Sequence, residues 1–136
     1  MTEKERLYVK ECDCPEIQKG WKPKFKDEVY SKALRRIGMV RLCYEDSGEI
    51  GIMFSSSYKG VGEFLENAHQ EDYIFLPSLE QLLVILEDKD ISLFHHPGEN
   101  YVVTGNFGYG WVKDISYKIA AIKAVKKIRK EEKSDE

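Results

Sequence analysis

The chain has 136 residues, of which 42% are hydrophobic and 33% charged, a composition typical of one globular domain that folds alone. Its formal net charge of −3 gives no global attraction to nucleic acid or to anionic membranes, so any such binding has to be local. The charged segment Met1–Arg6 leads into no apolar stretch of the kind found in a secretory signal, and no apolar run approaches the roughly 20 residues that span a bilayer. We therefore expect a cytoplasmic protein with no membrane partner.

The three cysteines are an odd number in a chain without an export signal, so we expect reduced thiols rather than disulfides. Cys12-x-Cys14, together with Cys43 and a histidine, would supply four zinc ligands, but structural zinc motifs place two to four residues between paired cysteines. Cys43 lies within a predicted strand, in a position where a cysteine commonly acts as a small buried hydrophobic residue. A redox role for Cys12 and Cys14 would require the spacing Cys-x-x-Cys, which the sequence lacks. The sequence therefore predicts no metal and no cofactor.

Two short helices are predicted near the N-terminus. Thr2-x-x-Glu5 matches a capping box, in which the first side chain accepts from a free backbone N–H and the acid reaches back. Asp13-x-x-Glu16 matches a second one. Pro15 in the first turn and Gly20 just past the end predict a helix from about Cys14 to Lys19.

A β-hairpin is predicted in the next part of the chain. Apolar residues alternate with others over Val40–Glu45 and again over Ile50–Phe54, with the period of two that is typical of strands. Asp46-Ser47-Gly48 lies between them and supplies the residues of a tight turn.

The middle of the sequence predicts two helices. Val61, Phe64, Leu65 and Ala68 have the i, i+3, i+4, i+7 spacing of a helix face, so we expect a short helix after Gly60. A second helix follows Pro77, with Ser78 as N-cap and Gln81 completing a capping box. Its apolar stripe consists of Leu79, Leu82, Leu83 and Leu86.

The C-terminal part predicts a second hairpin and a final helix. Ile91–Phe94 and Tyr101–Val103 are expected to be strands joined by a type II turn at His96-Pro97-Gly98-Glu99. The glycine-rich Gly105–Trp111 is expected to turn the chain again. Asp114 or Ser116 then caps a helix that runs to about Lys130. Its apolar stripe consists of Ile115, Ile119, Ile122, Val125 and Ile128.

Together these elements predict an α+β protein, with an antiparallel or mixed sheet of hairpins covered by helices. We expect one domain over residues 1–130, followed by a polar tail at residues 131–136.

Parts of the sequence resemble a group of small uncharacterised proteins encoded by phages and prophages. The resemblance lies in Cys12–Gln18, Trp21-x-Pro23, Asp27-x-x-Tyr30 and the later landmark Phe75-Leu76-Pro77-Ser78-x-x-Gln81-Leu82. In that group an aromatic residue, usually Trp, precedes the Leu-Pro, and a Gly-Asp is common where this chain has Lys26-Asp27. The resemblance implies a mobile-element origin and no known activity. In physical terms, Trp21 and Phe75 are expected to anchor the chain to a core, while Pro77 and Ser78 start a helix.

No catalytic constellation is recognised, so the sequence predicts a protein that is not an enzyme. Ser56-x-x-Lys59 lacks the companion motifs of penicillin-recognising enzymes. His95 and His96 are neighbours on a strand, so their side chains point to opposite faces.

Our first functional hypothesis is a phage-type accessory module that binds another protein or a second copy of itself. The binding surface would be a face of the sheet or the C-terminal helix. Aromatic residues outside the apolar stripes are the anchors that such interfaces favour. They are Tyr8, Tyr58, Tyr109 and Trp111.

The alternative hypothesis is nucleic-acid binding through the C-terminal helix. Residues 115–130 contain six cations and no acid, and basic side chains neutralise phosphates. Cations also complement the C-terminal half of any helix, and four acids follow directly in residues 131–136. The candidate residues are Lys123, Lys126, Lys127 and Lys130.

Overall fold

The structure is a computed structural model of the chain, and it describes residues 1–44, 46–54, 63–95, 102–106, 110–114 and 116–134. The chain divides into two compact units, Met1–Leu76 and Pro77–Glu136. The first unit contains a five-stranded sheet and the second a three-stranded sheet, and all described strand pairs are antiparallel. Helices accompany the strands in both units, so the predicted α+β class is confirmed.

The first unit begins with two helices and continues with five strands. These are α1 Glu3–Cys12, α2 Pro15–Gln18, β1 Glu28–Ser31, β2 Arg36–Cys43, β3 Glu49–Phe54, β4 Glu63–His69 and β5 Tyr73–Leu76, with a 3-10 turn at Gln70–Asp72 before β5. Strands β1 to β4 form a meander, and β5 returns to pair with β1, which gives the order β4-β3-β2-β1-β5. The predicted β2–β3 hairpin is confirmed.

The first predicted capping box is confirmed and the second is wrong. The Glu5 N–H donates to Thr2 Oγ1 at 3.1 Å, and the Thr2 N–H donates to Glu5 Oε1 at 2.9 Å. Asp13 instead ends α1, where its N–H donates to Val9 O, and Cys14 is the N-cap of α2, although its side chain accepts no bond from the α2 backbone. Because α1 extends to Cys12, Asp13 is already used to close the preceding helix.

The helix predicted after Gly60 is also wrong, because Glu63–His69 forms β4. Leu65 lies opposite Ile52 and Ala68 opposite Ile50, so three steps along β4 match two along β3. The additional residue is a β-bulge next to Asn67, whose φ is +55°. The bulge reproduces within a strand the three-residue spacing that is typical of a helix; Val61 lies outside the described residues.

The core of the first unit lies in its sheet. Val29, Val40, Ile52 and Phe54 are at most 1% exposed and form one cluster, against which Trp21 packs. Strands β1 and β5 were not predicted, because four residues are too few to show a period of two clearly. Their extended conformation is set by their pairing with each other and with β2.

The second unit combines two helices with three strands. These are α3 Leu79–Asp88, β6 Ser92–His95, β7 Val102–Asn106, β8 Gly110–Asp114 and α4 Tyr117–Ser134. Strand β7 pairs with both β6 and β8, and α4 contacts α3, β7 and β8. The predicted strands at Ile91–Phe94 and Tyr101–Val103 correspond to β6 and β7, while the type II turn between them lies outside the described residues.

The two helices of this unit begin as predicted. The Gln81 N–H donates to Ser78 Oγ at 3.1 Å, and the Ser78 N–H donates to Gln81 Oε1 at 2.7 Å. For α4 the cap is Ser116, whose Oγ accepts from the Ile119 N–H at 3.4 Å, whereas the Asp114 carboxylate pairs with Lys123.

Helix α4 buries the predicted stripe and is longer than expected. Ile119, Ile122, Val125 and Ile128 are all at most 6% exposed, while Ile115 lies outside the described residues. The helix continues to Ser134 rather than to about Lys130, so most of the predicted tail is helical. An ion pair of 2.7 Å between Lys89 Nζ and Glu132 Oε1 supports this last turn.

Gly38 is predicted to be required in β2. A Cβ at this position would lie 2.7 Å from Ile52 Cγ2 and 2.8 Å from Phe54 Cδ1, and both of those side chains are buried. Overpacking of this kind costs about 1–3 kcal/mol, so Gly38→Ala should lower the free energy of urea unfolding by that amount. A Gly38→Ala variant as stable as the wild-type protein would contradict this packing.

Candidate interaction surfaces of the first unit

Gln18 connects α2 to the edge strand β5. Its Nε2 donates to Cys12 O at 2.8 Å and to Phe75 O at 2.9 Å, while its Oε1 accepts from the Phe75 N–H at 2.8 Å. Strand β5 ends the sheet, so these bonds to Phe75 replace those that a further strand would make. An occupied edge resists pairing with another chain, so this stretch of β5 is not available for strand addition.

Trp21 and Asp27 fix the segment that joins α2 to β1. The Trp21 ring stacks on Phe75 with a centroid distance of 5.0 Å and an interplanar angle of 5°. Its Nε1–H donates to Asp27 Oδ2 at 3.2 Å, and the Lys24 N–H donates to the same oxygen at 2.9 Å. Gln70 Nε2 donates to Trp21 O at 2.6 Å. The predicted anchoring role of Trp21 and Phe75 is therefore confirmed.

The segment held in this way presents a basic and aromatic surface, which we term the Phe25 patch. It consists of Lys22, Lys24, Phe25, Lys26 and Arg41. The Phe25 side chain is 57% exposed, with Lys26 Nζ 5.7 Å and Arg41 Cζ 5.8 Å from its ring centroid. Among the described residues, no carboxylate pairs with any of these four cations. Exposed cation–π contacts contribute only about 0.5–1 kcal/mol, so they hold the cations near the ring without neutralising them.

The backbone of the Phe25 patch is bonded to β2. The Lys26 N–H donates to Val40 O at 2.8 Å, and the Val40 N–H donates to Asp27 O at 2.8 Å. Arg41 lies at the β-bulge between Val40 and Leu42, which directs it away from the regular alternation of the strand. The patch is thus a fixed feature of the sheet rather than a free loop.

A second surface, which we term the Gly51 patch, is apolar. It consists of Leu42, Tyr44, Met53 and Phe64 around Gly51. A Cβ on Gly51 would lie 2.8 Å from Phe64 Cζ and 3.2 Å from Leu42 Cβ, so both side chains lie on the same face of the sheet. Met53 pairs with Phe64, and strand alternation places it and Tyr44 on that face. Leu42, Tyr44 and Phe64 are 44%, 38% and 40% exposed.

Two open pockets lie beside α1, α2 and β5, with volumes of about 380 and 400 Å³. They share Asp13, Lys32 and Ile74, and their linings mix cations with carboxylates and contain no histidine. The thiol in the larger pocket, Cys14, donates to Glu11 O at 3.5 Å. This lining brings no thiol together with an imidazole base.

The three cysteines form no disulfide, and they differ in solvent exposure. Cys12 is buried, Cys14 is half-buried and Cys43 is exposed, so the expectation that Cys43 is buried is wrong. Cys43 is the last residue of β2, and its Sγ donates to Pro23 O at 3.3 Å. Desolvation, and secondly the negative charge of Asp27, raise the pKa of the Cys43 thiol. In the part of the chain that the structure describes, no group of three or more His, Cys, Asp or Glu residues is arranged to hold a metal.

The cations suggested for nucleic-acid binding lie along α4 in different environments. Lys123 Nζ is 2.9 Å from Asp114 Oδ2, so its charge is partly compensated. Lys126 is half-buried, whereas Lys127 and Lys130 are exposed. Binding of nucleic acid through this helix stays a prediction, with Lys127 and Lys130 as its most accessible cations.

The prediction that Tyr8 anchors a protein interface is wrong. Tyr8 is only 5% exposed, and its burial raises the pKa of its phenol. Tyr58 and Tyr109 lie outside the described residues, and Trp111 lies in β8. The sequence interpretation placed Phe64 on a helix face rather than on an exposed sheet surface, and it missed Phe25, although Lys22-Pro23-Lys24-Phe25-Lys26 already interleaves an aromatic residue with lysines.

Comparison of the chain with protein-family models, curated proteins and solved structures gave no match. Among the described residues, no helix has both the length and the apolar character needed to cross a membrane. Function is therefore inferred from the two surfaces themselves.

Gln18→Leu is predicted to destabilise the first unit strongly. The substitution keeps the approximate size of the side chain but removes three hydrogen bonds and leaves both Phe75 backbone groups without these partners. We expect the free energy of unfolding to fall by about 2–4 kcal/mol, measured in urea. Gln70→Leu, which removes one bond to Trp21 O, should cost less. A Gln18→Leu variant no less stable than Gln70→Leu would show that the β5 edge does not depend on Gln18.

Cys43 is predicted to react slowly with iodoacetamide at neutral pH despite its exposure. Its raised pKa lowers the fraction of thiolate, which is the nucleophile. In a Cys14→Ser background, the midpoint of the pH–rate profile should lie above that of a free cysteine peptide. Asp27→Asn should move it partway back, because desolvation remains, and Cys43→Ser identifies the signal. A midpoint at or below that of the peptide would contradict the prediction.

Proposed function

We propose that this chain is a non-catalytic protein-binding module, an accessory protein of phage or prophage type. Its binding surface is the Gly51 patch on the five-stranded sheet. The observation that carries the proposal is that Leu42 and Phe64, 44% and 40% exposed, both border Gly51, with Tyr44, 38% exposed, two residues beyond Leu42. Isolated exposed hydrophobes are common on protein surfaces, whereas adjacent ones are typical of interaction sites.

Gly51 gives the patch its shape. Because Gly51 has no side chain, the Phe64 ring approaches the β3 backbone closely, and a methyl group at this position would displace it. Glycine within a strand has an intrinsic cost of about 0.5–1 kcal/mol relative to alanine, but a Cβ at this position would press on Phe64 and Leu42. Because Gly51 has no side chain, the apolar surface across β2, β3 and β4 is flat and continuous at this point.

The chemistry of the patch favours a protein partner. Its members are a leucine, a tyrosine, a methionine and a phenylalanine, with no charged side chain to neutralise a phosphate. Aromatic side chains anchor protein interfaces, and methionine adapts to partners of different shape. The partner is therefore expected to present an apolar surface, and a second copy of this chain meets that condition as well as another protein does.

The test compares wild-type protein with a Leu42→Glu/Phe64→Glu variant. Partners are captured from nuclease-treated cell extract, identified, purified and titrated by calorimetry; self-association is followed by sedimentation equilibrium. We expect a complex whose formation has a negative heat-capacity change and little salt dependence, as apolar burial requires. The variant should lose at least tenfold in affinity, since two exposed hydrophobes become charged.

The matched control is Leu7→Glu/Leu34→Glu, which places the same charges at two other leucines that are each 47% exposed. Retention of the complex in this control, with loss in the Gly51-patch variant, supports the proposal. Equal loss in both variants, or a protein that stays monomeric and forms no reconstituted complex, overturns it.

A further inference from the structure

We infer that the Phe25 patch is a binding site for single-stranded nucleic acid, on a surface distinct from the proposed protein-binding Gly51 patch. The juxtaposition that carries this inference is a phenylalanine ring 57% exposed to solvent with two cations within 6 Å of its centroid. Lys22 and Lys24 lie on the same short segment.

The charge of this segment is uniform. No acidic residue occurs between Glu16 and Asp27, and Asp27 itself is 7% exposed and turned inward to Trp21 and the Lys24 backbone. Among the described residues, no carboxylate pairs with Lys22, Lys24, Lys26 or Arg41. The patch therefore keeps its positive charge for a partner, whereas Lys123 on α4 has Asp114 as a partner within the chain.

The patch is also preorganised. Two hydrogen bonds to the Asp27 carboxylate and two backbone bonds with Val40 fix the segment before any ligand arrives. A site held in its binding geometry loses little conformational entropy when it binds. Phe25 consequently needs no rearrangement to present its ring.

A ring among cations matches the two parts of an unpaired nucleotide. Bases stack on aromatic side chains regardless of sequence, and lysine and arginine neutralise the adjacent phosphates. On binding, a base would take the position of one cation over the Phe25 ring, and that flexible side chain would turn to a phosphate. Bases in a duplex are already stacked on each other, so the exposed ring favours a single strand.

An acidic peptide could use the same cations, but it would gain nothing from the planar ring. This difference separates the two ligands experimentally. A nucleic-acid site requires the aromatic face of Phe25, whereas a site for acidic peptides requires only the positive charge.

The test measures binding of labelled oligothymidylate of about 20 nucleotides by fluorescence anisotropy at roughly 50 mM salt. Phe25→Leu keeps an apolar side chain but removes the aromatic face, and we expect it to weaken binding by about 5- to 150-fold, the range for loss of one stacked base. Phe25→Trp should retain binding. Because Phe25 is exposed, both variants are expected to fold, which thermal unfolding checks.

Salt dependence provides a second readout that is independent of stacking. Each cation that contacts a phosphate contributes about −0.7 to the slope of log affinity against log salt for single strands. Lys24→Ala/Lys26→Ala should therefore reduce the magnitude of the slope by about 1.4. Lys4→Ala/Lys10→Ala, at two exposed lysines of α1, is the matched control and should leave the slope unchanged. Lys127→Ala/Lys130→Ala reports separately on α4, the alternative nucleic-acid surface.

Parallel titrations use a DNA duplex as long as the oligothymidylate and, separately, oligoglutamate. Preference for the single strand, with loss in Phe25→Leu, supports the inference. No binding, equal binding of oligoglutamate, an unchanged affinity of Phe25→Leu, or loss only in Lys127→Ala/Lys130→Ala each overturns it. Leu42→Glu/Phe64→Glu tests the protein-binding proposal separately, so failure of one does not imply failure of the other.

Discussion

The carboxylate of Asp27 is buried at the start of β1, where a desolvated charge is costly unless donors surround it. Its Oδ2 accepts from the Trp21 indole and from the Lys24 backbone, and these two bonds fix the segment that joins α2 to β1. The indole is thereby oriented to stack on Phe75 of β5. The Lys24 backbone is held at the same time, which sets the course of the Phe25 patch along β2. One buried acid thus positions both an edge of the core and an exposed surface.

The landmark residues of the N-terminal segment and of β5 take part in this same network. Gln18, Trp21, Asp27 and Phe75 contact one another or share partners, and each contact is internal to the first unit. Their role in this chain is therefore structural. The two exposed surfaces proposed for binding consist of other residues. The Gly51 patch is apolar and the Phe25 patch is cationic and aromatic. Two surfaces of such different chemistry are expected to differ in partner and in response to salt.

The sequence revealed those elements whose stabilising bonds are local. The capping boxes at Thr2 and Ser78 were predictable because each side chain bonds to backbone only three residues away. Strand β5 was not, because its pairing with β1 joins segments more than 40 residues apart. Strand β1 pairs locally with β2 but has only four residues, too few to show a period of two clearly. The error at β4 has a different cause, since a β-bulge imitates the spacing of a helix face. The Gly51 patch could not be predicted either, because strand alternation does not show which face stays exposed.

The basic and aromatic residues of the Phe25 patch are visible in the sequence, but the net charge of −3 argued against nucleic-acid binding. Net charge is a poor guide at this scale, because the Debye length is only about 8 Å at physiological ionic strength. Acids more than a Debye length away are screened and do not cancel the two cations over the Phe25 ring and the two lysines on the same segment. The α4 lysines appear in the sequence as the denser basic run, yet one of them, Lys123, is paired with Asp114. What distinguishes the Phe25 patch is therefore not the number of its cations but their neighbours: Lys26 and Arg41 lie over a π face, and among the described residues none of the four cations forms an ion pair with a carboxylate.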